Sequence, residues 1–309
     1  MYFCGKTCII ITAINDRNEK TMHEVYAKSI LSPKNGMNIY RGCSHGCIYC
    51  DSRSKCYGMT HAFEDIEVKI NAPELLERAL RKKKNRCMIG TGAMCDPYLH
   101  IEEKLGLTRQ CLAIIERYGF GVSVLTKSSR ILRDLDLLKS IHEKAKAVVQ
   151  MTLTTYDEDL CRIVEPNVSA TAERVAVLKT MRAEGIPTVV WLCPILPYIN
   201  DTPENLLGIL NCCADAGVKG ILCFGMGMTL REGDREYYYD ALDRHFPGLK
   251  EKYISLYGNA YELPSPNTPR LNEIFRSFCR SHGIMHRQDE IFAYLNEFPD
   301  DGFEQTSLL

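Results

Sequence analysis

Residues 41–58 read RGCSHGCIYCDSRSKCYG and hold four cysteines, of which Cys43, Cys47 and Cys50 form a C-x3-C-x2-C run. Soft thiolate donors so closely spaced on a loop rich in Gly, Ser and Tyr point to metal chemistry, because one short turn of chain brings all three together. A structural zinc site asks for a second half at C-x2-C or H-x3-H spacing, and none follows; His45 and His61 are irregularly spaced fourth ligands. A cubane iron–sulfur cluster on three thiolates leaves one iron without a protein ligand, open to a small molecule that brings its own donor atoms. Cys56, beyond the run, reads as structural.

Such a loop must be carried by a scaffold. Short runs rich in Val, Ile and Thr alternate with longer stretches at helical spacing, the pattern of repeated βα units on a parallel sheet. Strands are expected at Met37–Tyr40, Arg86–Gly90, Gly121–Leu125, Ala147–Leu153, Pro187–Leu192 and Gly220–Phe224. Helix starts follow at Asn71 with Pro73, at Thr108, at Asp134, at Ser169, and at Thr202 with Pro203; Gly119, Gly185 and Gly217 stand at helix ends. Six units fall short of the eight that close a full barrel, so the expected fold is α/β, an open three-quarter (β/α)6 barrel. The cysteine loop, next after the first strand, then sits at the C-terminal mouth, where barrels of this kind carry their chemistry. The expected organisation is an N-terminal extension over 1–24, the barrel core over 25–230 and a helical C-terminal extension over 231–309 that packs on the open side. Tyr237, Tyr238 and Tyr239 on that extension suit either a stacking role or the core.

The composition belongs to an ordinary globular enzyme. Of 309 residues, 45% are hydrophobic and 25% charged, and 38 basic residues against 39 acidic ones leave a net charge of −1. A bulk electrostatic grip on duplex DNA is not indicated, and the basic run Arg81–Lys84 at a helix end reads as a solvated face. No apolar run approaches membrane-spanning length and no cleavable leader is apparent, which points to a cytoplasmic protein. Fifteen cysteines in a reducing compartment are mostly small buried hydrophobes.

With the aromatic Tyr49 just before its last cysteine, the cysteine run resembles the radical S-adenosylmethionine (SAM) superfamily. More narrowly, YRGCSHGCIYCDSRS, GTGAMCDPY, LTKS with RDLDLL, EPNVSATAERVAVLK and PILPYIND resemble its spore photoproduct lyase-like branch, also described as DNA repair photolyase-like, over roughly residues 25–285. The resemblance implies a four-iron four-sulfur cluster on Cys43, Cys47 and Cys50, with the methionine part of SAM on the open iron. It implies Tyr49 beside the adenine and Thr91 to Cys95 near the methionine amino group. Lys127 matches a SAM-contacting lysine, and Thr152 or Thr154 a ribose-contacting hydroxyl. The implied chemistry is reductive cleavage of SAM to a 5′-deoxyadenosyl radical that abstracts hydrogen from a substrate, fed by a reductant such as flavodoxin or ferredoxin and sensitive to oxygen.

The substrate is not named by these residues. The lyases carry a hydrogen-donating cysteine shortly before their second-strand serine; that register here holds Ala93, with a thiol at Cys95 instead. Cys95 is expected to face the mouth, as a SAM contact or a hydrogen-atom donor, with a buried packing thiol as the alternative. Two classes of function stay open: a radical SAM enzyme, including a lyase acting on a nucleic-acid lesion, and a non-catalytic iron–sulfur protein for electron transfer or redox sensing.

Overall fold

The computed structural model describes residues 22–299. Six strands, β2 (Gly36–Met37), β5 (Met88–Thr91), β6 (Gly121–Thr126), β7 (Ala147–Thr152), β8 (Thr188–Trp191) and β9 (Gly220–Leu222), pair in that order, all parallel. Every residue of β6 and β7 is buried, as continuous apolar runs require when both faces of a parallel sheet are covered. The outer face carries Ile89, Val124, Val149 and Val190 against the helices α1 (Ala72–Lys82), α3 (Leu107–Arg117), α4 (Leu135–Lys144), α6 (Thr171–Ala183) and α7 (Pro203–Ala216). Two shorter helices, α2 (Glu102–Leu105) and α5 (Glu158–Val164), sit in the loops after β5 and β7.

Local chemistry sets the ends of these helices. The Thr202 hydroxyl accepts the Asn205 N–H at 3.2 Å and Pro203 occupies the first turn of α7. Its C-terminal Gly217 has φ +61°, the left-handed conformation that favours glycine, and the flexible Arg182 guanidinium lies against its open side. Asn71 departs from its expected capping role: its side chain accepts the Ala27 N–H (2.9 Å) and donates to the Ala27 carbonyl (3.0 Å).

The first strand is shorter than expected. After Met37 the chain leaves the barrel, and Tyr40–Arg41 form β3, antiparallel to β4 (Ile66–Lys69), which pairs in parallel with β1 (Met22–Val25). Tyr40, expected at the end of the first barrel strand, is buried there instead with its hydroxyl donating to Glu102. The cysteine loop therefore springs from this small three-stranded sheet at the barrel's rim. Of the extension expected over 1–24, only Met22–Glu24 fall among the described residues, and they lie in β1. The stretch PDDGFEQTSLL, expected to fray, lies outside them beyond Pro299.

The C-terminal part begins with a wide antiparallel hairpin of β10 (Gly227–Thr229) and β11 (Glu262–Pro264), whose connection carries the helices α8 (Asp234–His245) and α9 (Leu249–Tyr257), and continues with α10 (Thr268–Ser281) and α11 (Gln288–Asn296). The hairpin, α8 and α9 bury Leu230, Tyr238, Leu242, Tyr253 and Leu263 against Cys47, Ile48 and Tyr49. Tyr238 thus belongs to the core, and Tyr237 lies under the Arg53 guanidinium, 3.6 Å from its ring centroid. Helix α10 packs on α7, while α11 sets Ile291 and Leu295 against Met88, Val148, Val189 and Leu222, the opposite face of the sheet from the helices.

Candidate active site

Local folding presents the cysteine loop as a tight, self-bracing turn. Gly42 (φ +84°) approaches the Phe63 carbonyl so closely that a Cβ would lie 2.5 Å from it, and the Cys43 N–H donates to the same oxygen at 3.0 Å. A second clasp comes from the turn after α5. The Asn167 N–H donates to the His45 carbonyl and its side-chain amide to the Ser44 carbonyl, both at 3.1 Å, and the Ile48 N–H donates to Val164 at 3.0 Å. Cys43, Cys47 and Cys50 are free thiols on this loop.

Lys127, at the end of β6, extends toward them. Its ammonium lies 5.8 Å from the Tyr49 ring centroid and has no hydrogen-bond partner among the described residues. Burial opposes its charge, but Cys47, Glu165, Cys50 and Asp96 outweigh that and hold its pKa above the ordinary lysine range. Burial is also the main cause that pushes the thiols up: Cys43 to about 12, with Cys50 adding to it, Cys47 well above its ordinary value, and Cys50 raised with Lys127 opposing. Thiols so placed hold their protons until a metal displaces them. The donor set, three thiols and one unpaired ammonium to balance their charge, fits an iron–sulfur cluster with one open iron.

Two carboxylates frame the site, and neither stood among the expected site residues. Asp96 accepts from the Thr126 hydroxyl and the Lys127 N–H, both at 2.7 Å, and from the Tyr98 N–H at 2.8 Å; its Oδ2 lies 3.6 Å from His45 Nδ1. It thereby fixes the end of β6 against the cysteine loop. His45 is buried, and that burial lowers its pKa to about 4, with Asp96 opposing, so the ring is neutral. Glu165 pairs with Arg174 at 2.6 Å, both side chains fully buried. Burial works against the Glu165 charge, but the Arg174 and Lys127 cations hold its pKa below the usual carboxylate range. Arg174 also donates to the Thr152 carbonyl at 2.8 Å and to Cys161 Sγ at 3.1 Å. The readable signal was the segment EPN, in which an acid sits before a proline directly after a helix; its partner Arg174 lies on an otherwise unremarked helix face.

The other expected residues fall around this frame. The Tyr49 hydroxyl donates to Glu165 and lies 3.1 Å from Thr154 Oγ1, which itself donates to Glu165 at 3.2 Å. Thr91 is buried at the end of β5, and Thr152 ends β7. Gly92 follows at φ +100°, where a Cβ would come within 1.8 Å of the Leu125 carbonyl. The Cys95 thiol is buried and donates to the Gly42 carbonyl at 2.8 Å, beneath the cysteine loop. Cys56 is exposed, with the Arg231 guanidinium 3.4 Å from its sulfur.

Inside the curve of the sheet lies a cavity of about 210 Å³ lined by Thr91, Ala93, Ser123, Leu125, Gln150, Trp191 and Phe292, among others. Across its wall the Trp191 indole donates to Gln150 and the Gln150 amide to Ser123, each at 2.7 Å. A larger cavity of about 510 Å³ lies at the other end of β8 and β9, around Thr188, Lys219 and Met285, away from the cysteines.

Comparison with known proteins agrees with this architecture. An uncharacterised protein of Mycobacterium tuberculosis (strain H37Rv) is 30% identical over 273 residues, covering 82% of this chain and 78% of that one. One from Methanocaldococcus jannaschii is 32% identical over 176 residues, 56% of this chain and 64% of its own. Among solved structures, spore photoproduct lyase complexed with dinucleoside spore photoproduct superposes with a TM-score of 0.62 at 14% identity, covering 86% of this chain and 81% of that one. Streptococcus suis SuiB, bound to its precursor peptide SuiA, gives 0.50 at 12% identity over 82% of this chain and 48% of its own. These structural likenesses are likenesses of fold. A family model described as the radical SAM superfamily matches residues 37–210, more than half of the sequence, and the chain belongs to that superfamily.

Proposed function

We propose that this protein is a radical SAM enzyme in which Cys43, Cys47 and Cys50 hold a four-iron four-sulfur cluster and Lys127 binds SAM. The observation that carries the reading is the pairing of a braced three-thiol loop with an ammonium that has no hydrogen-bond partner among the described residues at the same barrel mouth. When bound, the cluster supplies the electron that cleaves SAM to a 5′-deoxyadenosyl radical. The chain's own residues do the rest. Lys127 offers a charge-assisted hydrogen bond to the carboxylate or ribose of SAM. Asp96 holds the Lys127 backbone in place, and the Glu165–Arg174 pair with Tyr49 and Thr154 fixes the floor beneath the cofactor. Thr91 and Thr152 stand at strand ends that approach the same space, and Cys95 supports the loop through Gly42. The hairpin, α8 and α9 cover the loop and exclude water from it.

The hydrogen-bearing group of the substrate enters the cavity lined by Ser123, Gln150 and Trp191, where Leu125, Trp191 and Phe292 offer apolar walls to a planar moiety. A lyase acting on a nucleic-acid lesion is the second reading, favoured by the likeness to a lyase solved with a dinucleoside photoproduct. An iron–sulfur electron carrier is disfavoured, since such a protein has no use for an ammonium held ready for a ligand at the mouth that carries its cluster. The test is anaerobic reconstitution with iron and sulfide, followed by an assay for 5′-deoxyadenosine with and without a dinucleoside photoproduct. Iron uptake and 5′-deoxyadenosine formation, both abolished by Cys47→Ala, are expected. A protein that takes up no iron, or that binds a cluster and never cleaves SAM, overturns the proposal.

A further inference from the structure

We infer that His23, His61 and Glu67 form a second metal site, for a zinc ion, on the small sheet outside the barrel. The three residues come from different places: β1, the loop before β4, and β4 itself. Parallel pairing sets His23 directly opposite Glu67. One donor atom from each of the three lies within 4.8 Å of the others. Donors around a tetrahedral zinc with ligand distances of about 2.0–2.2 Å stand roughly 3.4 Å apart, so side-chain rotations of about 1 Å close the site.

Hydrogen bonding has already chosen the ligand atoms. His61 Nδ1 donates to the Ala62 carbonyl at 3.0 Å, which leaves the lone pair on Nε2. That Nε2 is buried with no hydrogen-bond partner among the described residues and faces Glu67 Oε2 at 3.8 Å. His23 Nδ1 donates to Asp65 Oδ2 at 3.1 Å, the carboxylate–histidine arrangement that orients metal-binding imidazoles and raises their basicity. The two rings meet edge to face with centroids 4.7 Å apart. Glu67 is not claimed by its cross-strand neighbour Arg41, whose guanidinium donates instead to the Tyr57 and Gly58 carbonyls at 2.7 and 3.1 Å. Two imidazoles and one carboxylate are a donor set that zinc accepts, with water as the fourth ligand.

The place gives the site a purpose. The loop that carries His61 also carries Phe63, whose carbonyl receives the Cys43 N–H. A zinc ion here pins β1, β4 and that loop together, and so holds the base of the cysteine loop from outside the barrel. The site is independent of the cluster and needs no thiol.

The experiment uses the full chain with its iron loaded, dialysed against zinc alone, with metal content and zinc X-ray absorption as readouts. One zinc per chain is expected, with an imidazole-containing nitrogen and oxygen shell near about 2.0 Å. His61→Ala and the near-isosteric Glu67→Gln should each lose at least tenfold in zinc affinity while iron per chain stays unchanged; His245→Ala, exposed on α8, should keep its zinc. Glu67→Gln guards against a fold failure in the alanine variant, and circular dichroism checks both. Absence of bound zinc, a sulfur shell near about 2.3 Å, or undiminished zinc in both ligand variants overturns the inference.

Discussion

Lys127 and Glu165 are the two residues on which the site's electrostatics turn, and they act on different things. The Lys127 ammonium has no hydrogen-bond partner among the described residues, so removing it breaks no ion pair. Lys127→Ala should keep the cluster's iron content and bind SAM roughly ten- to a hundred-fold more weakly, the loss of one charge-assisted hydrogen bond of about 1.5–3 kcal/mol; equilibrium binding to the reconstituted protein measures it. Glu165 is the opposite case, because its loss strands the Arg174 guanidinium in the core beside Thr152 and Cys161. Glu165→Gln should cost about 3–5 kcal/mol in chemical denaturation, the penalty for breaking a buried pair. Cys95 sits between these extremes. A serine in its place keeps a donor to Gly42, whereas alanine leaves that carbonyl short, so Cys95→Ser should load iron like the parent and Cys95→Ala less well.

Among the elements, the entrance to α8 holds a testable strain. Asp234 is buried at the first turn, with Oδ1 accepting the Arg231 N–H at 2.6 Å and Oδ2 without a hydrogen-bond partner among the described residues. Burial pushes its pKa from the ordinary 3.8 to about 6, and nearby Asp51 adds to the shift. The folded protein therefore keeps this proton to higher pH than the unfolded chain does. Its stabilising contribution is complete below about pH 4, is lost as pH rises to about 6 and stays lost above. Asp234→Asn keeps the acceptor and abolishes the titration. It should match the parent near pH 4 and exceed it by on the order of 1–2 kcal/mol at pH 7, read from urea unfolding at both values. Elements of this kind divide by how they announce themselves. The five barrel helices and six strands were legible because each carries its own period, its own Thr-Pro or Gly punctuation and a β-branched run. The small sheet was not, since β1 and β3 acquire meaning only by pairing with β4 across 40 and 24 intervening residues. For the same reason the three cysteines could be read from one loop, whereas Glu165 and Arg174 needed a fold to meet. Helix α11 escaped notice because its apolar face is short and its partners, Met88, Val148, Val189 and Leu222, come from four distant strands.

For the molecule as a whole, α11 closes one end of the barrel. Lys146 secures it by donating to the carbonyls of Tyr294 and Glu297 at 2.6 and 3.0 Å, where the helix would otherwise leave them bare. Ile291→Ala should lower stability by about 2–5 kcal/mol, as truncation of a buried aliphatic side chain does, visible as a lower urea midpoint without loss of the cysteine loop's iron. The closure also orders traffic. A chamber stoppered at one end works like a blind alley: molecules that enter past the cysteines must back out past them. The occupant that arrives last is then the first to leave: on the proposed reading a substrate lodged beside Phe292 lies deeper than SAM at the cysteine loop, so it must enter before the cofactor, and its product leaves only after the spent fragments.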